Sequence, residues 1–261
     1  MIDDGTNLHS LVEEGLNGGA DLLGGCPYTD SDPAAHMERL FEMAVSHDVD
    51  LDFHLDFDLD PSWTHMPDIS RLTEARGWQG RVAIGHVTKL AAMEEAAFDR
   101  HVSPLLAAGV AVTALPSTDL YLNGRDKGFR APPGVAPVHV LAECGMTTSI
   151  ATNNVMNPFT TYGDCSLLRM ANLYANLMHI GPEGFSRCLG LITRDAARLM
   201  RIDAYGFAPA DFADLIILDA TEEDEAFGSI APVLMGFKKG RKSFERRAEI
   251  LACSVKGDPI T

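Results

Sequence analysis

With 261 residues and 46% hydrophobic side chains, the chain is long enough to bury the core of one large α/β domain or two small ones. Its 21 basic against 37 acidic residues leave a net charge of −16, which repels phosphate backbones and anionic lipid and argues against nucleic-acid and membrane partners. No run of eighteen apolar residues marks a transmembrane helix, and the acidic opening Met1-Ile2-Asp3-Asp4-Gly5 lacks the parts of a signal peptide. A cytoplasmic protein is the expectation.

Taken in chain order, the pattern is helix, strand, helix, strand. Residues 8–17 read as a helix with Leu8, Leu11, Val12 and Leu16 on one face, ended by Gly18-Gly19. Residues 20–25 form a short buried strand closed by Cys26-Pro27. Asp32-Pro33 opens a helix through about residue 46, with proline in its first turn. A strand over residues 49–55 follows, then a helix over 67–76, a strand over 81–86 and a helix over 93–108. Gly109 turns into a strand over 110–115. Residues 116–137 read as a polar loop rich in glycine and proline, long enough to favour a substrate-facing loop or lid over a plain connector. A helix over 138–144, a strand over 146–151 and helices over 164–179 and 182–200 complete this region, with Gly163-Asp164 as a helix cap.

Five strands alternating with amphipathic helices imply a parallel sheet. From Phe212 the character changes to strands over 212–218 and 233–237, and a Lys239-Gly240-Arg241 turn before Ser243-Phe244. The expected division is therefore residues 1–208 as an incomplete (β/α) barrel and residues 209–261 as a small β appendage, with Pro209-Ala210-Asp211 at the boundary. The five cysteines, Cys26, Cys144, Cys165, Cys188 and Cys253, are odd in number and contain no Cys-x-x-Cys pair. A zinc–thiolate site is not expected, and buried reduced thiols are.

Two strand ends carry the chemistry. The run Val49-Asp50-Leu51-Asp52-Phe53-His54-Leu55-Asp56-Phe57-Asp58-Leu59-Asp60 alternates apolar and polar side chains and delivers His54 near its end. Val82-Ala83-Ile84-Gly85-His86 ends the same way. Histidines and carboxylates at the C-terminal ends of parallel strands are where a (β/α) barrel keeps its active site. If the first of these strands continues past Leu55, Asp56, Asp58 and Asp60 share a face with His54; if it ends there, Asp56 lies in the rim loop. His65, His101, His139 and His179 follow no such pattern and read as surface or core residues.

These motifs, together with Thr152-Asn153-Asn154-Val155-Met156-Asn157-Pro158, the run Ala213-Asp214-Leu215-Ile216-Ile217-Leu218-Asp219-Ala220 and Gly240-Arg241, resemble the cytosine deaminase branch of the amidohydrolase superfamily, which includes N-isopropylammelide amidohydrolase. The resemblance runs nearly end to end. It implies a TIM-like (β/α) barrel with an attached β-sandwich that hydrolyses C–N bonds with metal-activated water, zinc or iron being the metal. It implies a metal ligand at His54 and a ligand or proton relay at His86. The chain departs from the family in having no His-x-His pair, in carrying Phe57 where the acid–base glutamate stands, and in carrying Asn153 and Asn154 where two aspartates stand. Asp56 is the expected substitute carboxylate, and Asn153 and Asn154 are expected to orient substrate.

The resulting expectation is an α/β fold with about five of the eight strand–helix units of a barrel, since eight are needed to close one. Its open edges admit three readings: a fragment of a longer gene product, a homo-oligomer that covers the edges, or an open sheet. Two functions stand side by side. One is amidohydrolase-type hydrolysis of a C–N bond in a small nitrogen heterocycle such as a pyrimidine, triazine or pterin. The other is a non-catalytic amidohydrolase-like fragment or interaction protein, with no cofactor.

Overall fold

The computed structural model describes residues 8–247. The chain divides into two compact units, one ending at Arg201 and the other starting at Ile202. The turn at Pro209-Ala210-Asp211 thus falls inside the second.

The first unit runs α1 (Leu8–Asn17), β1 (Leu22–Gly25), α2 (Pro33–His47), β2 (Asp50–Leu55), α3 (Met66–Ala75), β3 (Val82–His86), α4 (Glu95–Ala107) and β4 (Ala111–Ala114). It continues through α5 (Pro116–Leu122) and α6 (Val138–Glu143) to β5 (Thr148–Ile150), then α7 (Leu167–Leu177), α8 (Phe185–Leu191) and α9 (Arg194–Leu199). All five strands are parallel and lie in chain order, β1-β2-β3-β4-β5. This is the partial (β/α) barrel that the sequence predicts.

Local chemistry sets the elements. Asp32 caps α2 by accepting from the Ala35 N–H at 3.0 Å, and Pro33 takes the first helical position, where a missing N–H costs nothing. One face of β2 carries Leu51, Phe53 and Leu55, all essentially buried. Phe53 meets the buried Phe41 of α2 with ring centroids 5.8 Å apart. Burial of each such side chain contributes about 1.5–3 kcal/mol. The alternate residues Asp50, Asp52 and His54 are only half buried and face the other way. Register pairs His54 with Gly85, Gly85 with Thr113 and Thr113 with Ser149, so these four positions form one row across the second face. Thr113 and Ser149 hydroxyls are hydrogen-bonded at 2.9 Å in that row.

The structure corrects four expectations. The segment after β4 is not a plain loop: α5 forms at once because Pro116 starts it, and 3-10 turns cover Arg125–Arg130 with a kink at Gly128 (φ 59°, ψ −140°). The helix expected over 182–200 breaks into α8 and α9 at Thr193, whose backbone (φ −127°, ψ −99°) is not helical. The cap of α7 is Ser166, which accepts from the Arg169 N–H at 3.2 Å, while Asp164 accepts from the Ser166 N–H and pairs with Arg169. Among the described cysteines Cys188 is buried and Cys26 half-buried, but Cys144 and Cys165 are exposed, all four being free thiols. Cys253 lies outside the described residues.

The second unit holds β6 (Leu215–Leu218), α10 (Glu223–Gly228), β7 (Val233–Lys238) and β8 (Arg241–Glu245). Its three strands are antiparallel in the order β6-β7-β8. Lys239 and Gly240, both left-handed (φ 50° and 74°), make the two-residue hairpin between β7 and β8. The helix between β6 and β7 was not expected; Glu223, Asp224 and Glu225 fill its first turn, where the helix dipole favours acids. Among the described residues no helix is long and apolar enough to cross a membrane.

Candidate functional site

The site gathers at the C-terminal ends of the strands of the first unit. His54 leaves β2 on the half-buried face it shares with Asp52. Strict alternation puts His86 with Val82 and Ile84 on the opposite face of β3, yet its ring reaches His54. The backbone shows how: His86 and Val87 are both left-handed (φ 70° and 39°), which re-aims the side chain, and Gly85 leaves the position beside His54 without a side chain. A β-branched valine in that region is rare and strained, and such strain concentrates at functional sites. Asp56 and Asn153, at the ends of β2 and β5, are left-handed as well (φ 49° and 58°).

The two imidazoles are in direct contact. His54 Nδ1 lies 2.9 Å from His86 Nε2, with ring centroids 4.8 Å apart and planes inclined at 57°. Behind them, Asp119 Oδ1 lies 2.6 Å from His86 Nδ1 and Oδ2 accepts from the Leu115 N–H at 3.2 Å. Asp119 is fully buried in the first turn of α5. Asn153 directs Nδ2 at His86 Nε2 from 3.4 Å. The Phe57 ring covers His86 at 4.3 Å, and Tyr28 stands 6.1 Å beyond Phe57.

The predicted residues are therefore not all together. His54, His86 and Asn153 converge. Asp56 does not join them: its carboxylate accepts from the Thr64 hydroxyl and from the His65 N–H at 3.1 Å, at the start of α3. Asn154 accepts from Asn157 Nδ2 at 2.7 Å and belongs to the loop after β5. Asp119 is the residue the sequence reading missed. Its signal was Leu115-Pro116-Ser117-Thr118-Asp119 directly after a strand, a proline-started helix with an acid in its first turn.

Burial dominates the electrostatics. It lowers the His54 pKa to about 4, with the neighbouring His86 adding to the shift, so His54 is neutral at physiological pH. Burial also raises Asp52, Asp56 and Asp119 above the usual carboxylate range. Hydrogen bonds from Thr64 and His65 oppose this at Asp56, and the bond to His86 opposes it at Asp119.

Two nitrogens bound to one tetrahedral zinc stand roughly 3.3 Å apart, each about 2.0–2.1 Å from the ion. The His54–His86 contact is shorter and uses His54 Nδ1 and His86 Nε2 on each other. Among the described residues no three His, Cys, Asp or Glu side chains are placed to hold a metal ion. The described residues do not fit a zinc or iron centre on their own.

No family model matches the chain. It is 29% identical over 229 residues to a pterin deaminase from Rhizobium rhizogenes, which covers 86% of this chain and 51% of that protein. It superimposes on 5-methylcytosine deaminase from Klebsiella pneumoniae, liganded with phosphonocytosine, with a TM-score of 0.89 at 25% identity, covering 97% of this chain and 63% of that one. For N-isopropylammelide isopropylaminohydrolase from Burkholderia multivorans the TM-score is 0.78 at 27% identity, covering 89% and 57%. The homologues and structural neighbours are thus deaminases and amidohydrolases of the superfamily that the strand-end motifs resemble. The chain spans about half the length of the curated relatives it matches.

Proposed function

We propose that the chain serves in the hydrolysis of a C–N bond in a small nitrogen heterocycle, a pyrimidine, triazine or pterin, with release of ammonia or an amine. The observation that carries this reading is the hydrogen-bonded pair His54–His86 at the strand-end rim, backed by Asp119.

Hydrolysis needs a base for the attacking water and an acid for the leaving amine. Neutral His54 takes the water proton on Nε2. Its Nδ1 proton passes to His86 Nε2, so the positive charge comes to rest on His86 beside the Asp119 carboxylate. The oxygen bonds to the ring carbon, the C–N bond breaks, and the proton returns along the pair to the departing nitrogen. Asn153, which converges with the histidine pair, orients the ring by hydrogen bonds, while Asn154 is tied to Asn157 in the loop after β5. Asp56 holds the rim loop through Thr64 and His65. A divalent metal, zinc or iron, would supply further activation of water in an amidohydrolase; the described residues do not complete such a centre, and no step above passes through one.

A second reading, an amidohydrolase-like interaction protein without catalysis, is favoured by the incomplete ligand set among the described residues and by Phe57 beside His86. Ammonia or amine release separates the two. The purified chain is assayed with cytosine, 5-methylcytosine, pterin and an N-alkylaminotriazine, with zinc, with iron(II) and with a chelator. Catalysis predicts release that falls by about 10²–10⁴-fold in His86→Ala, the usual contribution of a positioned acid–base group. No release under any metal condition supports the second reading.

A further inference from the structure

Hydrogen-bond direction in the rim cluster follows from one buried carboxylate. Both Asp119 oxygens face nitrogen: Oδ2 is held by the Leu115 N–H, and Oδ1 lies 2.6 Å from His86 Nδ1. The side chain is fully buried, and the first turn of α5 anchors its backbone, with the Asp119 N–H donating to the Leu115 carbonyl at 3.0 Å. The bonds from His86 and Leu115 favour the ionised carboxylate against its burial, and the Asn153 amide nitrogen, which can only donate, faces His86 Nε2 from 3.4 Å; both place the His86 proton on Nδ1. Its Nε2 is then a bare lone pair. Two donors converge on that atom, His54 Nδ1 at 2.9 Å and Asn153 Nδ2 at 3.4 Å. His54, neutral with its proton on Nδ1, has its own Nε2 bare.

We propose that Asp119 is the positioning residue that fixes the tautomers of both histidines, so that the chain of hydrogen bonds runs from His54 through His86 to Asp119 and His54 Nε2 is presented at the rim as an unprotonated nitrogen. This deepens the proposed function, and it rests on that reading for its purpose but not for its test. The orienting carboxylate works through the two imidazoles and need not touch substrate, the arrangement by which a distant acceptor sets which ring nitrogen is basic.

A conservative variant reverses the chain. In Asp119→Asn the Leu115 N–H still requires an acceptor, which only the amide oxygen supplies. The amide NH₂ then faces His86 Nδ1 and makes it an acceptor. His86 moves its proton to Nε2 and donates to His54 Nδ1, and His54 moves its proton to Nε2. The atom presented at the rim changes from acceptor to donor without loss of packing.

The test is ¹⁵N NMR of the imidazole nitrogens in ¹⁵N-histidine-labelled protein, free of substrate and metal. The wild type is expected to show protonated Nδ1 and bare Nε2 for both His54 and His86. Asp119→Asn is expected to show the opposite tautomer for both, with the His101 and His139 signals unmoved, and to lower any measured turnover by about 10–100-fold. Protonated Nε2 on either histidine in the wild type overturns the proposal, as does a folded Asp119→Asn whose tautomers match the wild type. If that variant does not fold, the wild-type spectrum alone decides. A wild type with the stated tautomers but no turnover leaves this inference standing and removes the catalytic reading.

Discussion

Asp119 stands 2.6 Å from His86 Nδ1, although the two are 33 residues apart and belong to different strand–helix units. The contact joins the end of β3 to the first turn of α5, and it holds a buried carboxylate and a buried imidazole against each other. Asp119→Ala removes the acceptor for both the His86 N–H and the Leu115 N–H. A buried donor left without a partner costs about 1–3 kcal/mol. Urea denaturation is expected to show a loss of that order or somewhat more, and an unchanged midpoint would mean the contact does not form in solution.

His54 gives a pH signature. Its pKa in the folded chain, about 4, lies below the value near 6.5 of an unfolded histidine. Above pH 6.5 both states are neutral and the group contributes no pH dependence. As pH falls through 6.5 toward 4, the unfolded chain takes up a proton that the folded chain refuses, and stability drops. Asp52, Asp56 and Asp119, whose pKa values are raised, act in the opposite direction. The measurement is therefore the difference between wild type and His54→Gln in urea midpoint from pH 8 to pH 4.5. The wild type is expected to lose relative stability below pH 6.5; a constant difference would place His54 in a solvated setting.

Phe57 covers His86 with ring centroids 4.3 Å apart. The resemblance puts the acid–base glutamate of the family at this position. Phe57→Glu brings a carboxylate next to the histidine relay and supplies a second proton-transfer group. If the chain is catalytic, ammonia release is expected to rise by roughly tenfold or more, within the range for an added acid–base group. A fall in release would show that Phe57 is needed for packing between Tyr28 and His86.

The rim loop after β2 is clamped from β3. The Thr88 hydroxyl donates to the Asp56 and Asp58 carbonyls at 3.1 and 2.8 Å. Lys89, fully buried, donates to the Trp63 carbonyl at 3.0 Å and pairs with Asp58 at 3.1 Å. Asp58 is 41% exposed and can be solvated if Lys89 is lost, so the cost stays below that of breaking a fully buried pair. Lys89→Met keeps the apolar stem, and about 1–3 kcal/mol of destabilisation is expected. Hydrogen exchange should speed up across residues 56–65 while the amides of β2 and β3 stay protected.

Much of the fold was legible in the sequence, and the reason is periodicity. The Leu51, Phe53, Leu55 alternation marks a strand that packs one face on helices, and the caps of α2 are ordinary capping chemistry. The convergence of His54 and His86 was only half legible. Alternation alone sends His86 to the wrong face, and the left-handed backbone at His86 and Val87 that redirects it leaves no mark in composition. Asp119 stayed hidden because its segment, rich in proline and glycine further on, reads as a loop. Asp56 lay in the right stretch, but its carboxylate is taken by Thr64 and His65, partners that no spacing rule singles out.

The central claim is that the His54–His86 pair forms a site for a small heterocycle. NMR titration of the uniformly ¹⁵N-labelled chain with cytosine, pterin and an aminotriazine tests it most directly. The account predicts that at least one of them shifts the imidazole signals of His54 and His86 and the side-chain amide of Asn153 in a saturable way, leaving His101 and His139 in place. Binding that moves other histidines and leaves this pair untouched, or no binding by any of the three, would contradict it.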